Sequence, residues 1–368
     1  MTSNTKDVSK RLFSLDVFRG LTMFLLVAEA AGFHHNFSEF AEGNSFLSAV
    51  ADQLHHHPWN GLRFWDLIQP FFMFIVGVAM PFSLRKRLAT GTRFQANRHI
   101  LRRCFLLFAF GVLLHCVYSH ALVWELWNVL VQLAFTILIA YAIMGMSHRN
   151  QLLISAALLV LTEVLYRVYN PADPYNNGES FGSFTDMLFM GKINGGGWVT
   201  INFIPTAAHT IWGVVCGQIL LSDRKPSEKL KPFLIGGIAI LLLGYALDWL
   251  NITPIIKRIA TTSFTLASGG WTILTLALFY WWIDIKGNHR KWLRIFSVVG
   301  TNSIFIYLFA ETVGAQWFRG FGEIFSRGLL EPIGVPEKLI MVINALFVLF
   351  IFWYITYFLD KKKVYFKV

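Results

Sequence analysis

The chain has 368 residues, 55% of them hydrophobic and 14% charged, where a soluble domain carries roughly 45–50% apolar and about 25% charged residues; an ordinary soluble protein is excluded and an integral membrane protein indicated. The 32 Lys and Arg against 21 Asp and Glu leave a formal charge of +11. That balance would suit a nucleic-acid binder, but the positive residues cluster in loops between apolar runs, with no interleaved aromatic platform on which bases could stack.

Windows of about 20 mostly apolar residues, enough to cross roughly 30 Å of hydrocarbon, fall at 15–33, 62–84, 100–118, 125–146, 151–168, 200–221, 232–250, 264–284, 293–313 and 338–359. They predict an all-α polytopic membrane protein of ten helices forming one domain over 1–368. Lys6, Lys10 and Arg11, the run from Arg85 to Arg103, Arg149, Arg224 to Lys231, Lys286 to Arg294, and Lys361 to Lys367 occupy one set of alternate loops. The positive-inside rule then places both termini in the cytoplasm. Lys10-Arg11, a short apolar stretch and Ala28-Glu29-Ala30 resemble a signal peptide, but Asp16 and Arg19 interrupt it, so the first helix is expected to stay as an anchor. Cys104, Cys116 and Cys216 lie in apolar surroundings at no metal-ligand spacing and read as packing residues.

Taken in chain order, the first helix offers Ser14 as an N-cap and Asp16 and Arg19 at the spacing of an intrahelical pair, Arg19 alternatively holding a phosphate. The long outer segments 34–61 and 169–199 carry turn signals such as Asn176-Asn177-Gly178 and Gly195-Gly196-Gly197 and are expected to cover the outer mouth with irregular backbone. Between them and the apolar run from Leu67 stands His55-His56-His57-Pro58-Trp59-Asn60-Gly61-Leu62-Arg63-Phe64-Trp65-Asp66, the expected reaction centre. Pro58 suits a first helical turn, which would make His57 the N-cap and leave His56 just outside the helix end. There the partial positive charge would keep its imidazole neutral, and the N–H groups of Trp59 and Asn60 could stabilise an oxyanion. Asn60, Arg63 and Asp66 are three apart, so Arg63 and Asp66 read either as an ion pair or as substrate-orienting groups. His55 and His57 read as bystanders in a solvated loop.

Further along, Glu29, His115, Glu125, Gln132, His209, Asp248, Asn302 and Glu311 fall in the outer halves of predicted spans. Polar groups at that depth mark a substrate, ion or proton path or else brace the bundle by hydrogen bonding. The basic cluster from Arg85 to Arg103 reads as the positive-inside signal or anionic-lipid contact, with ligand binding as the competing reading.

Ser14-Leu15-Asp16-Val17-Phe18-Arg19-Gly20-Leu21, followed by Trp59-Asn60-Gly61-Leu62 and by Asp66-Leu67 with Pro70-Phe71-Phe72, Phe74 and Gly77, resembles the heparan-alpha-glucosaminide N-acetyltransferase family. Leu130-Val131-Gln132, Ile204-Pro205-Thr206, Gly213 to Gly217, Thr261-Thr262-Ser263 and Gly300-Thr301-Asn302-Ser303-Ile304 extend the likeness over nearly the whole chain. The resemblance implies transfer of an acetyl group from cytoplasmic acetyl-CoA, with no metal, to a glucosamine-type amine or sugar hydroxyl on the far side of a bacterial inner membrane. The family's active histidine lies three residues before the tryptophan, which is His56, acting as general base or as transient acetyl carrier; Asn60 and Asp66 would orient it or the acceptor. Arg19, Arg102 and Arg103 would meet the CoA phosphates, and Glu29, Trp59, Gln132, His209 and Asn302 would line the acceptor site. Two positions depart from the pattern: Ala30, where many relatives carry asparagine, and Leu133, where they carry arginine. Expected partners are acyl-CoA, the glycan acceptor, the bilayer and a second copy of the chain, not nucleic acid. The competing class is a proton-coupled transporter of a sugar or small solute using Glu29, His56, Asp66 and His209.

Overall fold

In a computed structural model, residues 12–366 are described, and they are helical apart from turns and one isolated bridge between Asn60 and Ile256. Lys6, Lys10, Arg11 and Lys367 lie outside the described residues. Among the described residues, seven helices are long and apolar enough to cross a membrane: Phe64–Thr90, Arg93–Tyr118, His148–Tyr169, Thr200–Leu221, Pro226–Trp249, Thr262–Ile285 and Glu337–Lys361. An eighth span arises if Lys291–Thr301 and Ser303–Ile333, bent by 72° at Asn302, are taken together. The remaining two predicted windows are helical but weaker. Phe13–Ala30 carries Asp16, Arg19 and Glu29 within its 18 residues, and Val129–Ile143 has 15 residues, a rise of about 22 Å that falls short of the hydrocarbon thickness. The protein is a multi-pass helical membrane protein. Leu234, Ile235, Ile238, Leu242 and Leu243 stand exposed along Pro226–Trp249, as expected of a helix whose solvent is lipid.

The outer segments are more regular than their turn residues suggested. Phe33–Ala41 and Ser45–Gln53 occupy the first, and Phe181–Met190 the second. Asn44 explains one of these starts: its side chain accepts the N–H groups of Phe46 and Leu47, the usual service of an N-cap. Cys104, Cys116 and Cys216 are unbridged thiols.

The fold divides into two compact units. The first comprises Pro58–Leu62 and Gln69–Gly287. Its centre is the contact of Ile68–Thr90 with Phe203–Leu221, where Gly77 and Gly213 bring the two backbones together; a Cβ on Gly77 would collide with the Thr210 carbonyl, and one on Gly213 with that of Phe74. Lipid offers helices no hydrophobic gain on association, so close backbone approach through small residues is how such an interface gains attraction. Arg93–Tyr118 and Val129–Ile143 pack beside it, as do His148–Tyr169 and the pair Pro226–Trp249 and Thr262–Phe279.

The second unit comprises Phe13–His57, Arg63–Ile68 and 288–366. Phe13–Ala30 lies on Arg294–Thr301, and Glu337–Lys361 packs on Phe33–Ala41 and Arg319–Leu330. Arg319 closes the end of the first helix: its Nε donates to the Ala30 carbonyl at 2.9 Å and Nη2 to that of Glu29 at 3.3 Å, satisfying acceptors a helix end leaves open. The predicted ninth span is broken because Asn302 leaves helical geometry at φ −119°, ψ 38°. Its fully buried amide donates to the Val364 carbonyl at 3.0 Å and accepts the Phe366 N–H at 2.9 Å, so the helix break binds the chain's last described residues.

Candidate active site around His56

The helix Ser45–Gln53 ends before the histidines, and the next begins only with the 3-10 turn Phe64–Leu67, which runs on into Ile68–Thr90. Pro58 therefore does not open a helix and His57 is not its N-cap; Arg63, extended at φ −109°, ψ 163°, holds that position. Two interactions invisible to local pattern move the start. Within the first unit, Gly61 sits at φ 148° and donates its N–H to the Ile255 carbonyl at 2.8 Å, while the Asn60 side chain accepts the Ile255 N–H at 3.1 Å. Those residues form a strand-like pairing with 255–256 instead of a helical turn, so the Trp59 and Asn60 N–H groups are not the open donors of a helix end. The Asn60 amide holds the 255 backbone. Within the second unit, the Asp66 carboxylate reaches back to the Arg63 N–H at 2.9 Å, a carboxylate in the first turn being favoured there by the helix dipole.

The same carboxylate builds the site. Asp66 is fully buried; its Oδ1 lies 2.9 Å from His56 Nδ1, and its Oδ2 accepts the N–H groups of His57 at 3.2 Å and Arg63. A buried carboxylate that accepts from Nδ1–H fixes the imidazole tautomer and puts the lone pair on Nε2. The His56 side chain is 33% exposed, so the dyad combines a sealed anchor with a partly exposed ring. The expected Arg63–Asp66 side-chain pair is replaced by another arrangement: Arg63 Nη1 donates to the His56 carbonyl at 3.4 Å and Nη2 lies 3.6 Å from Asp52. Its guanidinium braces the backbone that carries the histidine.

Beneath this dyad the second unit has a residue the sequence reading passed over. His34, on Phe33–Ala41, is almost fully buried and meets Trp65 edge-on with ring centroids 4.2 Å apart. Burial first, then the neighbouring His55, lowers its pKa to about 4, so the ring is neutral at pH 7. His55 is tied rather than loose: its Nε2 lies 2.7 Å from Ser38 Oγ. The only signal in the sequence that could have found this support is the spacing of His34 and Ser38, one turn apart on an outer helix.

The other predicted site residues hold separate posts. In the first unit, Trp59 packs against Tyr166, Ile256 and Ile259. The buried Gln132 accepts from Gln69 Nε2. His209 is sealed inside, its Nε2 2.9 Å from Ser268 Oγ and 3.1 Å from the Thr265 carbonyl. His115 Nδ1 lies 2.7 Å from Glu125, which also takes Lys192 at 2.6 Å. Arg102 is exposed, whereas Arg103 lines a cleft with Arg87. Asp248 accepts the Ile255 N–H at 2.8 Å. In the second unit, Arg19 pairs with Asp16 at 3.7 Å, Glu29 gives its carbonyl to Arg319, and Asn302 is committed to the C-terminal segment.

A family model described as heparan-alpha-glucosaminide N-acetyltransferase, catalytic, matches residues 11–244. The chain belongs to that family. His56 and Asp66 both fall inside the matched stretch. Proteins named heparan-alpha-glucosaminide N-acetyltransferase from Homo sapiens and Mus musculus are 31% identical to it over 105 and 110 residues. These stretches make up 28% and 30% of this chain and 14% of each relative, so the chain matches about a seventh of their length.

Proposed function

We propose that this family member is a membrane acetyltransferase in which His56, oriented by Asp66, activates the acceptor for attack on an acetyl thioester. The observation that carries the reading is the 2.9 Å contact between the partly exposed His56 and the fully buried Asp66. As base, Nε2 takes the proton from an amine or hydroxyl as that group attacks the acetyl carbonyl; the thiolate leaves with the electron pair of the broken C–S bond and is protonated. Asp66 stabilises the imidazolium that forms. General-base help of this kind is worth roughly 10²–10⁴ in rate. A transient acetyl on Nε2 splits the same transfer into two steps with the same balance.

The donor is acetyl-CoA, taken from the cytoplasmic face of a bacterial inner membrane, and the acceptor is an amino sugar or sugar hydroxyl on the opposite side. Arg19, Arg102 and Arg103 suit the donor's phosphates by charge, and Trp59 suits a sugar ring by its face. The charge pattern of the loops supports both termini on the donor side. The test uses the purified full chain in proteoliposomes with acetyl-labelled acetyl-CoA and glucosamine. Label on the sugar, lost in His56→Ala, is the expected result. Sugar accumulation inside the vesicles without label would overturn it in favour of a transporter.

A further inference from the structure

We infer that Thr261-Thr262-Ser263 is the positioning device of the acceptor side, its hydroxyls fixing the turn on which Trp59 and Asn60 are seated. The geometry lies wholly in the first unit, and its consequence for catalysis rests on the proposed acetyl transfer. The turn 250–261 joins Pro226–Trp249 to Thr262–Phe279 and has left-handed backbone near both ends, Asn251 at φ 54° and Ala260 at φ 58°. An alanine in that region is strained and persists only where its surroundings over-determine it. The three hydroxyls supply the bonds. Thr261 Oγ1, buried, donates to the Pro254 carbonyl at 2.6 Å and accepts the Ile256 N–H at 3.0 Å, while the Thr261 N–H returns to the Ile256 carbonyl at 3.2 Å. Ser263 Oγ donates to the Thr253 carbonyl. Thr262 Oγ1 donates to Glu163 Oε2 at 3.4 Å, an oxygen that also accepts from Thr253 Oγ1 at 3.4 Å.

What the turn holds is the proposed acceptor wall. Its backbone carries the one strand-like pairing among the described residues, the bridge between Ile256 and Asn60. Gly61 donates to the Ile255 carbonyl at 2.8 Å and Asn60 Oδ1 accepts the Ile255 N–H at 3.1 Å. Apolar packing follows the same pairing: Trp59 lies against Ile256 and Ile259, and Leu62 against the cluster of Ile255, Ala260 and Phe264. Residues 58–62 belong to no helix, so their order comes from this seat. A loosened turn would leave Trp59 and Asn60 in place for only part of the time, and acceptor affinity falls by that fraction. His56 and Asp66 keep their own bonds, so the chemical step proceeds once the acceptor is bound. The signature is a raised acceptor KM with kcat retained, which general destabilisation does not produce.

The experiment takes two readings on the full chain in proteoliposomes: amide hydrogen exchange at Gly61 and Ile256, and steady-state acetyl transfer to glucosamine. Thr261→Val keeps the shape and removes the hydroxyl. Exchange at both amides should quicken by about tenfold or more, and the glucosamine KM should rise by about tenfold, as for the loss of one or two hydrogen bonds. The kcat and the acetyl-CoA KM should stay within about twofold of wild type. Thr261→Ser, which restores the hydroxyl, should return both readings to wild type. Ser147→Ala, which takes an N-cap hydroxyl from His148–Tyr169 in the same unit, should move neither. Ser263→Ala, which removes one bond and no cap, should show the same split at smaller size and decides the matter if Thr261→Val does not fold. Unchanged exchange at Gly61 overturns the seat, and quickened exchange with an unchanged glucosamine KM overturns its role in acceptor binding. A fall in kcat shared by Ser147→Ala marks general destabilisation and overturns it too. A wild type that transfers no acetyl group defeats the acetyl-transfer reading instead, and exchange then upholds or overturns the seat by itself.

Discussion

Asp66→Asn is the sharpest probe of the proposed chemistry because the substitution keeps shape and removes one acceptor atom. The carboxylate takes His56 Nδ1–H on Oδ1 and, on Oδ2, the N–H groups of His57 and Arg63. An asparagine has one carbonyl oxygen and one NH₂. With the oxygen at the Oδ2 position both backbone donors are kept, and the NH₂ faces His56. With the oxygen at the Oδ1 position the NH₂ confronts two backbone donors, forfeiting two hydrogen bonds to a charged acceptor at about 1.5–3 kcal/mol each. The first orientation wins. It forces His56 Nδ1 to accept and moves the ring proton to Nε2, the nitrogen that must take the acceptor's proton.

The variant should therefore fold with near-normal thermal stability yet lose about 10²–10⁴ in kcat/KM, some 3–5 kcal/mol of transition-state stabilisation. The assay is acetyl transfer to glucosamine in proteoliposomes, run for Asp66→Asn, His56→Ala and the double variant. Because the two residues act as one unit, the double variant should be no slower than His56→Ala. Activity above a tenth of wild type in Asp66→Asn, or losses that multiply in the double variant, would refute the tautomer argument.

Three further outcomes test the surrounding structure. His34, neutral when folded with a pKa of about 4 against 6.5 unfolded, binds more protons unfolded between those values, so stability should fall as pH drops from 6.5 towards 4, by at most about 3 kcal/mol; His34→Gln should flatten that part of a denaturation-versus-pH profile, and an unchanged slope would remove His34 as its source. Gly77→Val places a branched side chain against the Thr210 carbonyl and should cost about 3 kcal/mol or more, read as a lower unfolding temperature in detergent, whereas Gly145→Ala, where a Cβ meets nothing, should be neutral. Asn302→Ala gives up both bonds to the C-terminal segment, each worth about 0.5–1.5 kcal/mol, and should speed tryptic cleavage at Lys361 to Lys363 several-fold; unchanged cleavage would show that Phe366, stacked on Phe305 at 4.7 Å, holds the segment by itself.

The membrane spans were legible because hydropathy acts locally: Pro226–Trp249 and Glu337–Lys361 announce themselves within their own residues. His56 and Asp66 were legible as candidates because titratable groups beside an apolar run are costly and so informative. The start of the helix was not. Pro58 carried a correct local preference, but Asn60 and Gly61 pair with Ile255, nearly 200 residues away, and a pairing at that separation outweighs propensity without leaving a local trace. The break at Asn302 was hidden for the same reason, its amide being occupied by the backbone of Val364 and Phe366. Nothing local in the sequence marks Arg319, and only the folded chain brings it to the carbonyls at the end of Phe13–Ala30.

Asp66 is where the folding of this segment and its chemistry meet. A buried carboxylate costs several kcal/mol of lost hydration unless donors surround it, and here the donors include two backbone N–H groups and the imidazole. The backbone pair fixes where the helix begins, which places Oδ1 before any substrate arrives; the imidazole then takes its orientation from an atom the fold has already positioned. That order of dependence explains why the dyad can be rigid although it stands on a short non-helical stretch: its precision is set by the first turn of Phe64–Thr90, with Arg63 holding the His56 carbonyl from the other side. It also separates the two residues by consequence. Removing the His56 ring leaves Oδ2 and the helix start intact, whereas truncating Asp66 to alanine takes the anchor from both.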